Sequence, residues 1–255
     1  MKFSSEPGPV ERRLRELLEG GPIHFTLIDP EKSGGAKAAE VARGAVAAGT
    51  HAVLLGGSTG ISRELVGRTA SAIRAAVRVP TIIFPEGPGS LAPEADAILF
   101  MSLLNSRNLD LVVRAHAQAA PVVRAMGLEA IPMGYVVVAP GMRVGEVGQV
   151  DAVPRDEPAV AVGYALAAEM LGMRMVYLEA GSGAPAPVPE GIVRAVRSAI
   201  RVPLVVGGGI RSAAEARPLL AAGADVLVTG TVTEEQGLGA AFRSIVEEVL
   251  RARGG

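Results

Sequence analysis

Two carboxylates and two glycine clusters are the features of this 255-residue chain that could do chemistry. Tyr177 and Glu179 stand two apart in the apolar run Met175–Ala180, so an extended backbone turns both side chains to the same face. Gly181 and Gly183 follow, which ends the run and leaves Glu179 at its C-terminal edge. A partly buried carboxylate there has its proton affinity raised and can act as a general base. The competing reading is a core carboxylate paired with an arginine or lysine. Asp29 closes another apolar run, immediately before Pro30. With the Ser58 hydroxyl it makes a poor metal site by itself. One carboxylate nevertheless suffices for Mg²⁺ when substrate phosphates and waters fill the other positions. A turn capped by Asp29 ahead of Pro30 explains the same residue, and both readings stand. Gly207–Gly209 and Gly230 end two further runs. Glycine lets backbone N–H groups approach phosphate oxygens, although a tight turn uses glycine equally well.

Composition removes much of the remaining chemistry. The chain has no cysteine, hence no thiolate metal site, no cysteine nucleophile and no disulfide framework. Its three histidines, His24 and His51 at the starts of two runs and His116 in a helical stretch, read as structural and build no triad. Lys and Arg number 25 against 26 Asp and Glu, so no surplus of cation is available to displace nucleic-acid counterions. At 49% apolar the chain is too hydrophobic to be disordered. The longest uncharged run, between Arg43 and Arg63, holds five Gly, His51 and several hydroxyl residues, which is not a membrane span. The N-terminus lacks the apolar region of a secretory signal, so a cytoplasmic location is expected, with any lipid contact made peripherally from the water side.

These residues need a scaffold that brings strand ends together. Eight apolar runs read as strands: His24–Asp29, Ala52–Gly57, Thr81–Pro85, Ala97–Leu104, Met133–Ala139, Met175–Ala180, Leu204–Gly208 and Val226–Gly230. They are near-continuous rather than alternating, as strands covered on both faces must be. Helix-length stretches separate most of them: Gly35–Ala48, Ser62–Val77, Leu109–Met126, Glu157–Leu171, Glu190–Ile200, Ala213–Ala222 and Glu235–Arg253, with an amphipathic Val10–Glu19 in front. Eight such units in one domain, residues 1–255, predict an α/β fold, a (β/α)8 TIM barrel. An open doubly wound sheet is the runner-up. One unit breaks the pattern. Glu86–Ala95 is ten residues with two prolines and two glycines, too short for a crossover helix, so helix 3 is expected to be replaced by a loop or extended piece. In a barrel, function gathers where strands end, and the loops after strands 7 and 8 form its recurrent phosphate site.

At those ends the residues match a known pattern. Ile28-Asp29-Pro30-Glu31-Lys32, Gly56-Gly57-Ser58-Thr59-Gly60, Phe100-Met101-Ser102-Leu103-Leu104-Asn105-Ser106, Tyr177 through Ala184, Gly207 through Ser212 and Thr229-Gly230-Thr231-Val232 stand in this order. The set resembles geranylgeranylglyceryl phosphate synthase, the archaeal enzyme of ether-lipid synthesis, over about His24 to Glu235. The resemblance implies a barrel whose helix 3 is irregular. It implies prenylation of the 3-hydroxyl of sn-glycerol 1-phosphate by geranylgeranyl diphosphate, with Mg²⁺ and release of diphosphate. By position it assigns Asp29 and Ser58 to the metal, with Thr59 a neighbour. It assigns Tyr177, Leu178, Glu179, Ala180, Gly181, Ser182, Gly183, Gly208, Gly209, Gly230 and Thr231 to the glycerol phosphate, and Glu179 and Tyr177 to catalysis. Lys32 and Arg211 are further candidates for phosphate contact. A prenyl tail would need an apolar groove, for which Ile82, Ile83, Phe84, Leu99, Phe100, Met101 and Tyr135–Val138 are candidates, most of them expected in ordinary core. The resemblance also implies a homo-oligomer, a dimer or hexamer. A heptaprenyl donor on the same acceptor, or an isomerase or lyase acting on another sugar phosphate, are the alternatives.

Overall fold

In a computed structural model, residues 6–57 and 60–254 are described. The elements alternate as the apolar runs predict: α1 Pro9–Glu19, β1 Ile23–Ile28, α2 Ala36–Ala48, β2 Ala52–Leu55, α3 Arg63–Ala76, β3 Thr81–Ile83 and β4 Ala97–Leu103. There follow α4 Ala115–Met126, β5 Glu129–Val137, α5 Met142–Val147, α6 Pro158–Met170, β6 Met175–Glu179, α7 Glu190–Ala199, β7 Leu204–Gly207, α8 Ala213–Ala221, β8 Val226–Thr229, α9 Thr231–Gln236 and α10 Ala240–Arg253. All eight strands pair in parallel with their chain neighbours, and β8 closes on β1 through His24↔Leu227 and Thr26↔Thr229. The fold is the expected (β/α)8 barrel.

Strand parity divides each strand between two cores. Phe25, Leu54, Ile82, Leu99, Tyr135, Tyr177, Val205 and Val228 pack into the barrel interior. Their sequence neighbours pack outward under the helices, Val176, Leu178, Val206 and Leu227 in one cluster and Val53, Leu55, Ile83 and Ile98 in another. α1 plugs the N-terminal end with Val10 and Leu14 in the interior cluster. The Glu129 carboxylate accepts the Val10 and Glu11 N–H groups at 2.8 and 2.9 Å, satisfying two donors that a helix start leaves unpaired.

Between β3 and β4 the chain makes only a single 3₁₀ turn, Pro88–Ser90, so the outer ring is open where the third barrel helix, the one after β3, would lie (α3 above is the helix after β2). Three boundaries differ from the sequence reading by more than two residues. β5 begins at Glu129, four residues before Met133, because its first residues pair with Ala97–Phe100 of β4. The stretch expected as one helix from Leu109 opens with a π-helical turn, Asp110–Arg114, ahead of α4. The stretch Glu235–Arg253 is broken at Gly237, whose φ of +62° ends α9 before α10 begins. The short α5 was not anticipated.

Candidate active site

Tyr177 and Glu179 face the interior at the C-terminal edge of β6, as their spacing predicts. The β5–β6 register sets Tyr135 beside Tyr177 and Val137 beside Glu179. The Tyr135 and Tyr177 rings meet edge to face with centroids 4.9 Å apart, and Phe84 meets both at 6.0 and 6.2 Å. This aromatic triangle floors the mouth of the barrel. Both tyrosine hydroxyls donate to the Glu179 carboxylate, and the Gly181 N–H donates to its Oε1 at 2.7 Å. Burial raises the proton affinity of Glu179 above that of an ordinary carboxylate, and the three hydrogen bonds pull it partly back. None of the donors is a cation, which removes the reading of Glu179 as a paired core carboxylate. Burial first, and the carboxylate beside them second, push both tyrosines well above the ordinary phenol range, so each hydroxyl remains a donor.

Tyr135, considered only for the tail groove, was missed as a partner of Glu179 because it stands in an unbroken apolar run. The available signal was chemical. A buried tyrosine hydroxyl must find a partner, and two of the chain's three tyrosines lie in strands. Its hydrogen bond lowers the Glu179 proton affinity, so Tyr135→Phe will raise it. Activity requiring ionised Glu179 then appears at higher pH, and the acid limb of the kcat/KM profile will shift alkaline relative to the parent. An unmoved limb would remove Tyr135 as a hydrogen-bond partner of Glu179.

Asp29 does two jobs. Its Oδ1 accepts the Glu31 N–H at 3.0 Å, the turn-capping role, while Oδ2 lies 3.8 Å from Lys32 Nζ and looks across the cavity wall toward Gly57. Lys32 also bonds Glu234 at 2.7 Å, and that bond, ahead of Asp29, holds the lysine's proton more tightly than usual. Among the described residues no group of three His, Cys, Asp or Glu could hold a metal by itself. A donor set of one buried carboxylate fits Mg²⁺ bound chiefly through substrate oxygens and water, and fits no metal that needs an all-protein cage. Ser58 and Thr59, the other residues assigned to the metal, lie outside the described residues.

Beside Asp29, beginning at β8, the neighbour of β1, the ends of β6, β7 and β8 make a cradle. Gly208 and Gly209 are both left-handed, at φ +81° and +71°. Thr231 Oγ1 lies 3.0 Å from Ser182 Oγ and accepts the Gly183 N–H at 3.3 Å, tying the β6 loop to the start of α9. Ser182, Gly208, Gly209, Gly230 and Thr231 line the cavity, joined by Arg211, whose guanidinium bonds the Ala184 carbonyl at 2.6 Å. Leu178 and Ala180 are corrections to the list of substrate contacts. Alternation along β6 sends their side chains into the outer core, and the Ala180 N–H is taken by the Gly207 carbonyl. Gly181 and Gly183 support the cradle through the hydrogen bonds described and do not line it.

From this mouth a cavity of about 660 Å³ runs outward through the gap left by helix 3. Phe84, Phe100, Met101 and Tyr135 line it, as considered for a tail groove. Ile82, Leu99 and Val137 belong instead to the barrel interior, and Val136 and Val138 to the outer core, each fully buried. Ile83 packs in the outer core under α3. The cavity's far wall comes from Leu91, Ile98, Leu111 and Ala119, which sequence parity did not single out. His116 is structural as expected, with Nε2 2.6 Å from the Met101 carbonyl and its ring edge-on to Phe100, and from α4 it also lines this wall. His24 is structural as expected, bonded to Thr50 and Thr229 at 2.5 and 3.0 Å and kept neutral by burial, with a pKa of about 3.

Comparison with known proteins matches this geometry to a sequence group. The family model described as the PcrB family matches residues 14–249. The chain is 51% identical to geranylgeranylglyceryl phosphate synthase of Methanothrix thermoacetophila over 234 residues, 91% of this chain and 92% of that one. It is 47% identical to the protein of the same name from Pyrococcus furiosus, over 96% of this chain and 97% of that one. Among solved structures it is similar to (S)-3-O-geranylgeranylglyceryl phosphate synthase of Thermoplasma acidophilum in complex with sn-glycerol-1-phosphate. That match has a TM-score of 0.90 and 44% identity over 96% of this chain and 99% of that one.

Proposed function

The chain belongs to the PcrB family, and from that premise we propose that it is a prenyltransferase joining geranylgeranyl diphosphate to the 3-hydroxyl of sn-glycerol 1-phosphate. The observation that carries this reading is one carboxylate, Glu179, standing where a glycine-lined anion cradle meets an apolar cavity. An isomerase or lyase of sugar phosphates would use the cradle and leave the cavity without purpose.

The chain's own residues account for the steps. The Gly208–Gly209 and Gly230–Thr231 turns hold the acceptor phosphate, which fixes the glycerol hydroxyl and turns encounter into near-unimolecular attack. Tyr177 and Tyr135 hold the Glu179 carboxylate in place. The hydroxyl oxygen attacks C1 of the donor, its proton passes to Glu179, and the breaking C1–O bond leaves its electron pair on diphosphate. Asp29 is the residue that would hold Mg²⁺, with Ser58 as its partner in sequence. A bound Mg²⁺ supplies the positive charge that stabilises the departing diphosphate. Lys32, kept protonated by Glu234 and Asp29, adds a fixed cation on the same side. The phenyl and aliphatic wall from Phe84 to Phe100 excludes water from the allylic carbon and takes the tail. For the homo-oligomer that this reading carries, the surface to be covered includes Met170 and Leu171 at the end of α6, 82% and 71% exposed.

A transfer assay with labelled acceptor tests the reading. Product is expected from sn-glycerol 1-phosphate and not from its 3-phosphate enantiomer, and a C20 donor should outcompete a C35 donor. Preference for the C35 donor would move the chain to the heptaprenyl alternative, and no transfer from any prenyl diphosphate would end the proposal. Asp29→Asn keeps the turn cap through its amide oxygen and removes the charge that faces the cavity. The Mg²⁺ concentration for half-maximal activity should rise by roughly tenfold or more, as for loss of a carboxylate ligand. An unchanged magnesium titration would count against the metal role.

A further inference from the structure

We propose that the outer lip of the cavity is a lipid-docking surface, on which the π-helical turn Asp110–Arg114 and α5 present aliphatic side chains to the hydrocarbon of a bilayer. The inference rests on the reading of the substrate as a long-chain prenyl diphosphate. It adds where the molecule meets that substrate.

Two segments build the lip. The Arg107 N–H donates to the Gln149 carbonyl at 3.0 Å, and Ser106 bridges Val150, so the chain before the π-helical turn lies alongside the end of α5. The inner members, Leu111 and Val144, pack on the interior cluster and line the cavity. The outer members face solvent: Leu109 is 48% exposed, Val113 51%, Met142 36% and Val147 52%. Val147 both lines the cavity and reaches the surface, so apolar surface is continuous from the tail cavity to the outside.

Charge and area select the occupant. Arg107, Arg114 and Arg143 are matched in these segments by Asp110, Glu146 and Asp151, with Arg107–Asp151 and Arg114–Asp110 pairs at 3.4 and 3.6 Å. Such a face has no net field to recruit an acidic or basic protein. A hydrocarbon surface needs none, and arginines beside aliphatic residues can reach headgroup level while their stems stay in apolar surroundings. The four side chains together expose roughly 300 Å², the size of the largest apolar patch on a typical monomer, which is often a functional one. The hydrophobic tail and the apolar lip meet at the same opening.

The test is flotation of the whole chain with phosphatidylcholine vesicles, with and without phosphatidylglycerol, followed by transfer assays. The parent should float with both, and added salt should change binding little. Leu109→Gln/Val113→Gln, at two positions that do not line the cavity, should lower vesicle binding by roughly tenfold, from the lost insertion of two aliphatic side chains. Its turnover with vesicle-borne geranylgeranyl diphosphate should fall in parallel, while turnover with water-soluble geranyl diphosphate stays near that of the parent. Leu109→Ala/Val113→Ala should fall between. The proposal is overturned by a parent that does not float, by binding that salt abolishes, by a variant that floats unchanged, or by a variant whose defect is a changed oligomeric state. Absence of transfer even from geranyl diphosphate would instead overturn the prenyltransferase reading.

Discussion

Glu179→Gln will lower turnover at least ~100-fold, the span that a positioned general base contributes, while leaving the fold intact or more stable. The amide keeps the shape of the carboxylate, and its oxygen can still accept the Gly181 N–H. What it cannot do is take the hydroxyl proton. The stability half of the prediction follows from the direction of the Glu179 shift. Burial raises the folded-state pKa above its unfolded value. Folding therefore carries a cost for the buried charge that is complete above the folded pKa and absent below the unfolded one. Glutamine removes that cost. Thermal unfolding of the variant should occur at a temperature no lower than the parent's at neutral pH, and any gain should vanish as the pH falls below the ordinary carboxylate range. For the parent, kcat/KM should climb with pH through a limb lying above that range. Near-parental turnover of the variant would remove Glu179 as the base.

How far such a site can be read from sequence depends on whether burial hides the direction of a side chain. Strand ends were legible because glycine and carboxylate interrupt apolar runs: Asp29-Pro30, Gly181, Gly207–Gly209 and Gly230 each follow a strand of the barrel. The missing helix was legible because ten residues rich in proline and glycine cannot make a crossover helix, and only the turn Pro88–Ser90 stands there. The tail cavity was only half legible. Ile82 and Ile83, or Leu99 and Phe100, are adjacent apolar residues that point to opposite cores, and strands covered on both faces give no alternation from which to tell them apart. Register, which is a pairing between strands, decided that Tyr135 would stand beside Tyr177. The same holds for Leu178 and Ala180, which match a family motif by position and yet turn away from the cavity. A motif fixes the order of residues, and the strand's two-residue period decides which of them can touch a ligand.

Gly208→Ala will cost both fold and function, and comparison with Gly230→Ala separates this site from a generic glycine turn. Gly208 sits at φ +81°, where an L side chain is disfavoured by about 1–2 kcal/mol. A Cβ there would overlap Oε1 of Glu179 and come within 2.6 Å of the Gly181 nitrogen and 2.9 Å of the Ala180 nitrogen. The backbone cannot yield easily, because the Ala180 N–H is held by the Gly207 carbonyl at 3.1 Å. Relief must come from swinging the carboxylate away from Gly181, which undoes the placement of the base. Overpacking adds about 1–3 kcal/mol, so the variant should unfold roughly 5–15 °C below the parent. A displaced base and a distorted phosphate turn together should reduce kcat/KM at least ~100-fold, the loss expected from about 1 Å of misplacement. Gly230 differs on each count. Its φ is −132°, outside the left-handed region, and the nearest neighbours of a Cβ would be Leu27 side-chain atoms at 3.3 Å or more. Gly230→Ala should therefore melt within a few degrees of the parent. If it also binds sn-glycerol 1-phosphate normally, the cradle's anion contacts belong to the Gly208–Gly209 turn. If its acceptor KM rises while its stability holds, phosphate lies close against Gly230 as well. Near-parental stability and turnover of Gly208→Ala would show that Glu179 does not need the space that glycine leaves for it.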